Sequence, residues 1–262
     1  MAPIIHLVRH AQGFHNLCVE NQKLPDPDLT PLGITQCEEL CKKFDAHDKI
    51  THLVASPIRR TLWTCLRSFD PVVKSGMKVI ALPDAQEISN FPCDIGSEPE
   101  KLQKEFDDLV DLHLVQKGWN DKSTGSKYYP SPINLETRSR EVRIFLRDLA
   151  NKAGEDAQIV LVTHGGILHF LSQDWDDVNL ERGTGWQNTE HRTYQFKDPT
   201  GQDPEACLKE TQQSRRRRRG SVISLTMMEK VQIRQAYEAL IDEITQENGN
   251  NKAIKSEEAV SV

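Results

Sequence analysis

The chain has 262 residues, 37% hydrophobic and 27% charged, enough to bury a core within one large domain plus a tail, or two small domains. A net charge of -6 argues against bulk nucleic-acid binding, which needs a basic face, although the run Arg215 to Arg219 departs from that average. No stretch of about 18 uninterrupted apolar residues occurs, so no membrane span is expected, and the start MAPIIHLVRH lacks the pattern of a secretory leader.

Strands and helices alternate along the chain. Ile4 to Val8 is a short apolar run ending at a charged turn, the pattern of a buried strand. Thr30 and Pro31 then cap and open a helix carrying Ile34, Cys37, Leu40, Cys41 and Phe44. His52 to Ala55 reads as a second strand, with Ser56-Pro57 starting a second helix by the same logic, and Lys78 to Leu82 as a third strand. Glu136 to Lys152 is helical, Gln158 to Val162 is the most apolar strand, and a helix over Ile167 to Leu171 and a last strand over Arg192 to Phe196 follow. This order predicts a three-layer α/β/α sandwich, a mostly parallel central sheet with helices on both faces.

Residues 88–135 break the pattern with repeated proline and glycine, and contain one charged helical stretch, Glu98 to Val115. A lid over a substrate site, with Trp119, Tyr128 and Tyr129 as wall residues, and a solvated excursion with locally buried aromatics fit this insertion equally. The folded core is expected to span 1–204. Residues 205–262 read as a basic linker, a helix opened by the capping box Thr226 to Glu229 and carrying Ile233, Ala236, Tyr237, Leu240, Ile241 and Ile244, and a disordered end from Asn248. The arginine run fits a localisation or polyanion patch, a kinase site at Ser221, or a solvated linker, and the helix could pack on the core or bind a protein partner.

The chemistry concentrates at strand ends. Leu7-Val8-Arg9-His10 delivers a nucleophile beside a cation at the carboxyl edge of the sheet, where open α/β folds place ligands. Val162-Thr163-His164-Gly165-Gly166 repeats the arrangement, with glycines that let backbone approach a ligand at a helix N-terminus. Ser56 to Thr64 adds a second arginine clamp at a helix start, and Gln86-Glu87 adds a carboxyl group able to protonate a leaving oxygen. The six cysteines show no CxxC pair and suit reduced thiols in the cytosol or nucleus. His6 and His10 are four apart on a strand, where such spacing does not converge, so no metal is expected. His6, His15, His169 and His191 read as core or surface residues, with the pocket mouth a further place for His15, Arg59 as a solvent-facing one, and Asn188 and Glu190 as turn residues that could border the site.

The set LVRHAQ, Asn16, SPIRRTLWT, Gln86-Glu87 and VTHGG, in that order from Ile4 to Phe196, resembles the histidine phosphatase superfamily, the clan that includes cofactor-dependent phosphoglycerate mutases. The resemblance implies that His10 is phosphorylated, that Arg9, Arg60 and His164 hold the phosphate, that Glu87 donates the proton, and that Asn16 and Gly165 line the phosphate site. The family's usual glycine after the first histidine is Ala11 here. It further implies an enzyme without cofactor or metal, acting on a small phosphorylated metabolite or nucleotide, while the cysteine usage sets the expectation of a cytoplasmic or nuclear protein. Between Glu87 and Arg138 there is no arginine, whereas mutases carry arginines in that insertion, so hydrolysis is favoured over a mutase reaction. A scaffold that has kept the fold but lost catalysis is the alternative from another class.

Overall fold

The apolar runs become strands because alternate residues can reach cores on both faces of one sheet. In the computed structural model the strands are β1 (Ile4–Arg9), β2 (His52–Ala55), β3 (Val79–Ala81), β4 (Val110–Asp111), β5 (Gln158–Thr163), β6 (His191–Phe196) and β7 (Leu208–Glu210). They form a single sheet in the order β4-β3-β2-β5-β1-β6-β7. β1 to β5 pair in parallel, whereas β6 and β7 run antiparallel at one side. The structure describes residues 2–154, 156–176, 178–180, 183–220 and 225–260, with backbone alone over 247–260. Ser221, the candidate modification site, lies outside the described residues.

The helices are α1 (Pro31–Lys43), α2 (Arg59–Ser68), α3 (Asp70–Lys74), α4 (Pro99–Phe106), α5 (Pro132–Ala153), α6 (Gly165–Ser172), α7 (Gln212–Arg219) and α8 (Met227–Val260). One core joins Ile5, Leu7, Ile159 and Leu161 to α5, α6 and α8 through Leu135, Leu146, Phe170 and Tyr237. The other joins Val8, Leu53, Val160 and Val162 to α1 to α4 through Leu40, Leu62, Val72 and Phe106. This is the expected three-layer arrangement. Among the described residues no helix is long and apolar enough to cross a membrane.

Local signals explain most helix starts. Thr30 Oγ1 accepts from Gly33 N, with Pro31 in the first turn. The same hydroxyl donates to Gln12 Oε1 at 2.8 Å, so the cap also ties α1 to the loop after β1. A Cβ on Gly33 would lie 2.1 Å from Gln12 O, so this close approach requires glycine. α2 departs from expectation: it starts at Arg59 with Ile58 as N-cap, while Ser56 Oγ accepts from Ile58 N at 3.3 Å.

Three further differences concern the irregular regions. The helix expected over Glu98 to Val115 stops at Phe106, where Asp107 takes φ 45, and the chain re-enters the sheet as β4. Trp119 is buried in the core and donates to Ser97 O, while Tyr128 and Tyr129 stay half-buried, so none of the three is a wall residue. Arg59 does not face solvent. Its guanidinium pairs with Glu105 at 2.7 Å and Asp28 at 2.6 Å, stapling α2 to α4.

The sheet also continues past Pro204, where the core was expected to end. β7 extends it, and the arginine run forms α7 rather than a linker. Arg215 pairs with Asp176 at 2.7 Å, and Arg218 with Glu210 at 2.7 Å and Asp174 at 3.1 Å. These carboxylates explain how part of so dense a run of like charge tolerates burial. Thr226 and Glu229 form the expected reciprocal cap of α8, whose helical backbone continues through the end expected to be disordered. Tyr237 stacks among His169, Phe170 and Trp175. Thr30→Ala should lower the stability measured by urea unfolding by about 1 kcal/mol, the usual value of such a cap.

Candidate active site

The parallel register of β1 and β5 sets Arg9 opposite Thr163, so the chain leaves both strands at the same level. His10 N donates to Thr163 O at 2.8 Å, which continues the ladder one residue further. His10 and His164 therefore meet, their ring centroids 5.2 Å apart in an edge-to-face contact. On the other side Thr189 N and Asn188 Nδ2 both donate to His10 O, fixing the loop from the β6 side. The Asn188 amide thus supports the histidine loop and does not line the cavity. Glu190 accepts from Arg192 Nε at 2.6 Å, which leaves it a structural role as well.

The ring of His10 is buried, and its Nδ1 lies 2.7 Å from Ala11 O. A carbonyl can only accept, so Nδ1 carries the proton and Nε2 keeps its lone pair. Burial, then the neighbouring Arg60 and Arg9, push its proton affinity well below that of an ordinary histidine. The imidazole is a neutral nucleophile held in one tautomer.

Arg60 enters from the first turn of α2 and is buried. Its guanidinium donates to Cys93 O at 2.6 Å, Asp94 Oδ1 at 2.7 Å and His164 Nδ1 at 3.0 Å. Burial would raise the Asp94 carboxyl, yet Arg60 and then Lys122 hold it below the usual range. Arg9 donates to Trp186 O. His164 completes its own pairing by donating from Nε2 to Ser56 Oγ at 2.9 Å.

Glu87 sits at the N-terminus of α6. Its carboxylate accepts from Gly166 N at 3.1 Å and Ile167 N at 3.0 Å, and from Ile88 N at 2.8 Å. A Cβ on Gly166 would stand 2.7 Å from Glu87 Oε1. The second glycine of the Gly165-Gly166 pair is thus needed for the carboxylate to approach. Beneath Glu87, Arg138 donates to the carbonyls of Asp84, Gln86 and Glu87, and Lys122 Nζ donates to those of Glu87 and Ser89. Burial lowers Lys122 to about 7, an effect partly opposed by Asp94.

Arg9, His10, Arg60, Glu87, Asn16 and Gly165 line one cavity of about 240 Å³. His164 does not: it lies directly behind, with both ring nitrogens bonded to protein. Asn16 stands exposed at the rim with Oδ1 accepting from Gly13 N. His15 also reaches the cavity, its ring centroid 5.3 Å from that of His10. Asp94, Lys122 and Arg138 carried no sequence signal of their own, because their roles depend on which carbonyls and guanidinium the fold brings to them. Tyr237 lines the cavity from α8, and only its helical spacing hinted at burial. Among the described residues no group of three or more His, Cys, Asp or Glu side chains could hold a metal.

The profile of the histidine phosphatase superfamily (branch 1) matches residues 5–202. The chain belongs to this superfamily. It is 37% identical over 230 residues to a phosphoglycerate mutase-like protein of Arabidopsis thaliana, covering 72% of this chain and 82% of the plant one. It is 30% identical over 185 residues to a putative phosphoserine phosphatase 2 of Hydrogenobacter thermophilus, covering 70% of this chain and 81% of that protein. In fold it resembles a mycobacterial glucosyl-3-phosphoglycerate phosphatase, with TM-score 0.50 and 18% identity over 80% of this chain and 97% of the other. This superfamily member is a phosphatase-type enzyme with a mostly parallel seven-stranded sheet.

Two outcomes follow. Gly166→Ala should displace Glu87 and lower kcat by up to about 10²-fold, since misplacement by about 1 Å is enough to do so, while circular dichroism stays unchanged. Burial also lowers His6 and His169 to about 4 and His15 and His191 to about 3. Below pH about 6.5 the unfolded chain takes up protons that these folded imidazoles refuse. Stability is therefore full above that pH and falls as pH drops towards 4, each histidine contributing at most about 1.4 kcal/mol per pH unit. Buried Asp26 and Asp174, both raised, offset part of the loss at the acid end. Urea midpoints at pH 7.5, 6 and 5 should decrease in that order.

Proposed function

We propose that the chain hydrolyses small phosphomonoesters through a phosphohistidine at His10. The observation that carries this reading is a neutral imidazole, proton fixed on Nδ1 by Ala11 O, facing a cavity it shares with two arginines and a carboxyl group. His10 Nε2 attacks phosphorus while the ester P–O bond breaks and Glu87 gives its proton to the leaving oxygen. Arg9 and Arg60 bear the charge on the equatorial oxygens. Water then attacks the phosphoryl group, Glu87 takes the water's proton, and phosphate leaves with His10 restored. His164, which touches the ring of His10 and receives a bond from Arg60, keeps both in place and takes part in phosphate binding only after exchanging a partner.

Relatives carry both phosphatase and mutase names. Hydrolysis is favoured because the arginines lining the cavity among the described residues are Arg9 and Arg60, both committed to the transferred phosphoryl group. A mutase needs further cations for its acidic substrate. The buried Asp94–Arg60 pair and the complete set of matched residues also speak against a silent scaffold.

Turnover of an aryl phosphate in chelator should fall by at least about 10³-fold in His10→Ala, the scale of losing a catalytic nucleophile. A rapidly quenched wild-type reaction should yield an acid-labile phosphorylated peptide containing His10. Equal rates in wild type and variant would overturn the reading, and transfer between positions of a phosphoglycerate faster than release of phosphate would replace it by a mutase.

A further inference from the structure

The family match ends at residue 202, but the cavity does not. One of its walls is α8, which contributes Tyr237, Leu240, Ile241 and Ile244. Ile88 and Phe91 from the insertion and Leu180 from the loop after α6 complete an apolar surface continuous with the phosphate end. Leu180 is 45% exposed, and the segment that supplies His15, Asn16 and Gln22 to the cavity also exposes Phe14, Leu17 and Val19. Leaving this much aliphatic surface in water has a cost that a fitting apolar ligand would remove.

The wall is fixed in place. Tyr237 is buried among His169, Phe170 and Trp175 and donates to Gly183 O. Arg234 pairs with Glu136 on α5 at 3.0 Å. α7, immediately before α8, is pinned by Arg215 and Arg218.

The charged groups of the cavity are already engaged. Asp94 is bonded to Arg60 and Ser89, and Glu87 to three backbone amides. Arg9 and Arg60 face the phosphoryl group in the reading above. Among the described residues no lysine lines the cavity and no carboxylate remains unengaged for an ammonium group. A substrate with a carboxylate or ammonium near its phosphate would find no unengaged opposite charge, only uncharged polar groups such as Asn16, Gln22 and Ser89 beside leucine and isoleucine, which is costly.

We infer that the substrate is the phosphate monoester of an uncharged, apolar alcohol, and that α8 selects it by packing Leu240 and Ile244 on the leaving group. This inference rests on the hydrolase reading. It assigns to the segment beyond the family's core a role in specificity beside that of Ile88 and Phe91 from the insertion.

The test compares kcat/KM of the full chain on methyl, butyl and hexyl phosphate, naphthyl phosphate, phosphoserine and 3-phosphoglycerate, each with a His10→Ala control. The expected result is a rise of about fourfold per methylene until the cavity is filled, with hexyl and naphthyl phosphate above both charged substrates. In Leu240→Ala and Ile244→Ala the ratio of hexyl to methyl phosphate should fall about tenfold, the equivalent of losing one to two methylenes of contact. Leu240→Arg, at a half-buried position that tolerates a longer side chain, should move preference towards 3-phosphoglycerate. His10-dependent turnover that favours phosphoserine or 3-phosphoglycerate, or a flat alkyl series, overturns this inference and leaves the hydrolase reading intact. An unchanged hexyl-to-methyl ratio in all three folded variants removes α8 from the assignment. Absence of His10-dependent turnover on every ester overturns both.

Discussion

The ladder between β1 and β5 is the constraint on which the site depends. Six consecutive residues pair in parallel from Ile4 with Gln158 to Arg9 with Thr163, and the bond from His10 N to Thr163 O carries the register past the strand ends. A slip by one residue would turn Arg9 and His10 to opposite faces and separate them from His164. That register is secured by alternation, since Ile5, Leu7, Ile159 and Leu161 serve one core and Val8, Val160 and Val162 the other. Two histidines more than 150 positions apart therefore meet through backbone geometry that the apolar residues determine.

Bringing His10, Arg9, Arg60 and Lys122 together raises a second problem, because cations concentrated in low dielectric repel each other. The fold answers with different partners for each. Asp94 faces Arg60 and Lys122, the Trp186 carbonyl receives Arg9, and the carbonyls of residues 84–89 absorb Arg138 and Lys122. The histidines themselves add no charge, as burial keeps them neutral. The excess positive potential that remains is what a phosphate would find. Positioning of Glu87 is a by-product of the same network: two cations hold its backbone, while the α6 amides hold its carboxylate.

What was legible in the sequence were features set by local periodicity or by short motifs. The central strands, the Thr30 helix start, the cap at Thr226 and the placement of Arg9, His10, Arg60 and Glu87 in one cavity are of this kind. What escaped were pairings between distant segments. Ser56-Pro57 read as a cap because the pattern is a cap pattern, but the helix begins at Arg59, and nothing local announced that the Ser56 hydroxyl would meet His164 from 108 positions away. Trp119 read equally as a pocket wall or as a locally buried aromatic, and only the tertiary structure decides, since Gly96 leaves room for its ring to bury against the α4 side. Arg59 and Arg60 are adjacent, and Arg60 lines the cavity, yet nothing local announced that Glu105 would receive Arg59 rather than leave it to solvent.

The C-terminal segment shows why composition misleads about such pairings. Five consecutive arginines read as solvated linker when averaged over a window, because the carboxylates that neutralise them lie elsewhere: Asp174 and Asp176 follow α6, and Glu210 ends β7. Charge patterning is a tertiary property here, legible only once β7 has paired with β6 and brought Glu210 beside α7. One face of α8 meets Phe170 and Trp175 through Tyr237. Tyr237 is the residue on which both functions of that face converge, anchoring in the core on one side and bordering the cavity on the other. A helix that the sequence allowed to be either a docked element or a free partner-binding one is committed to the first by an aromatic that could not be exposed without losing its burial.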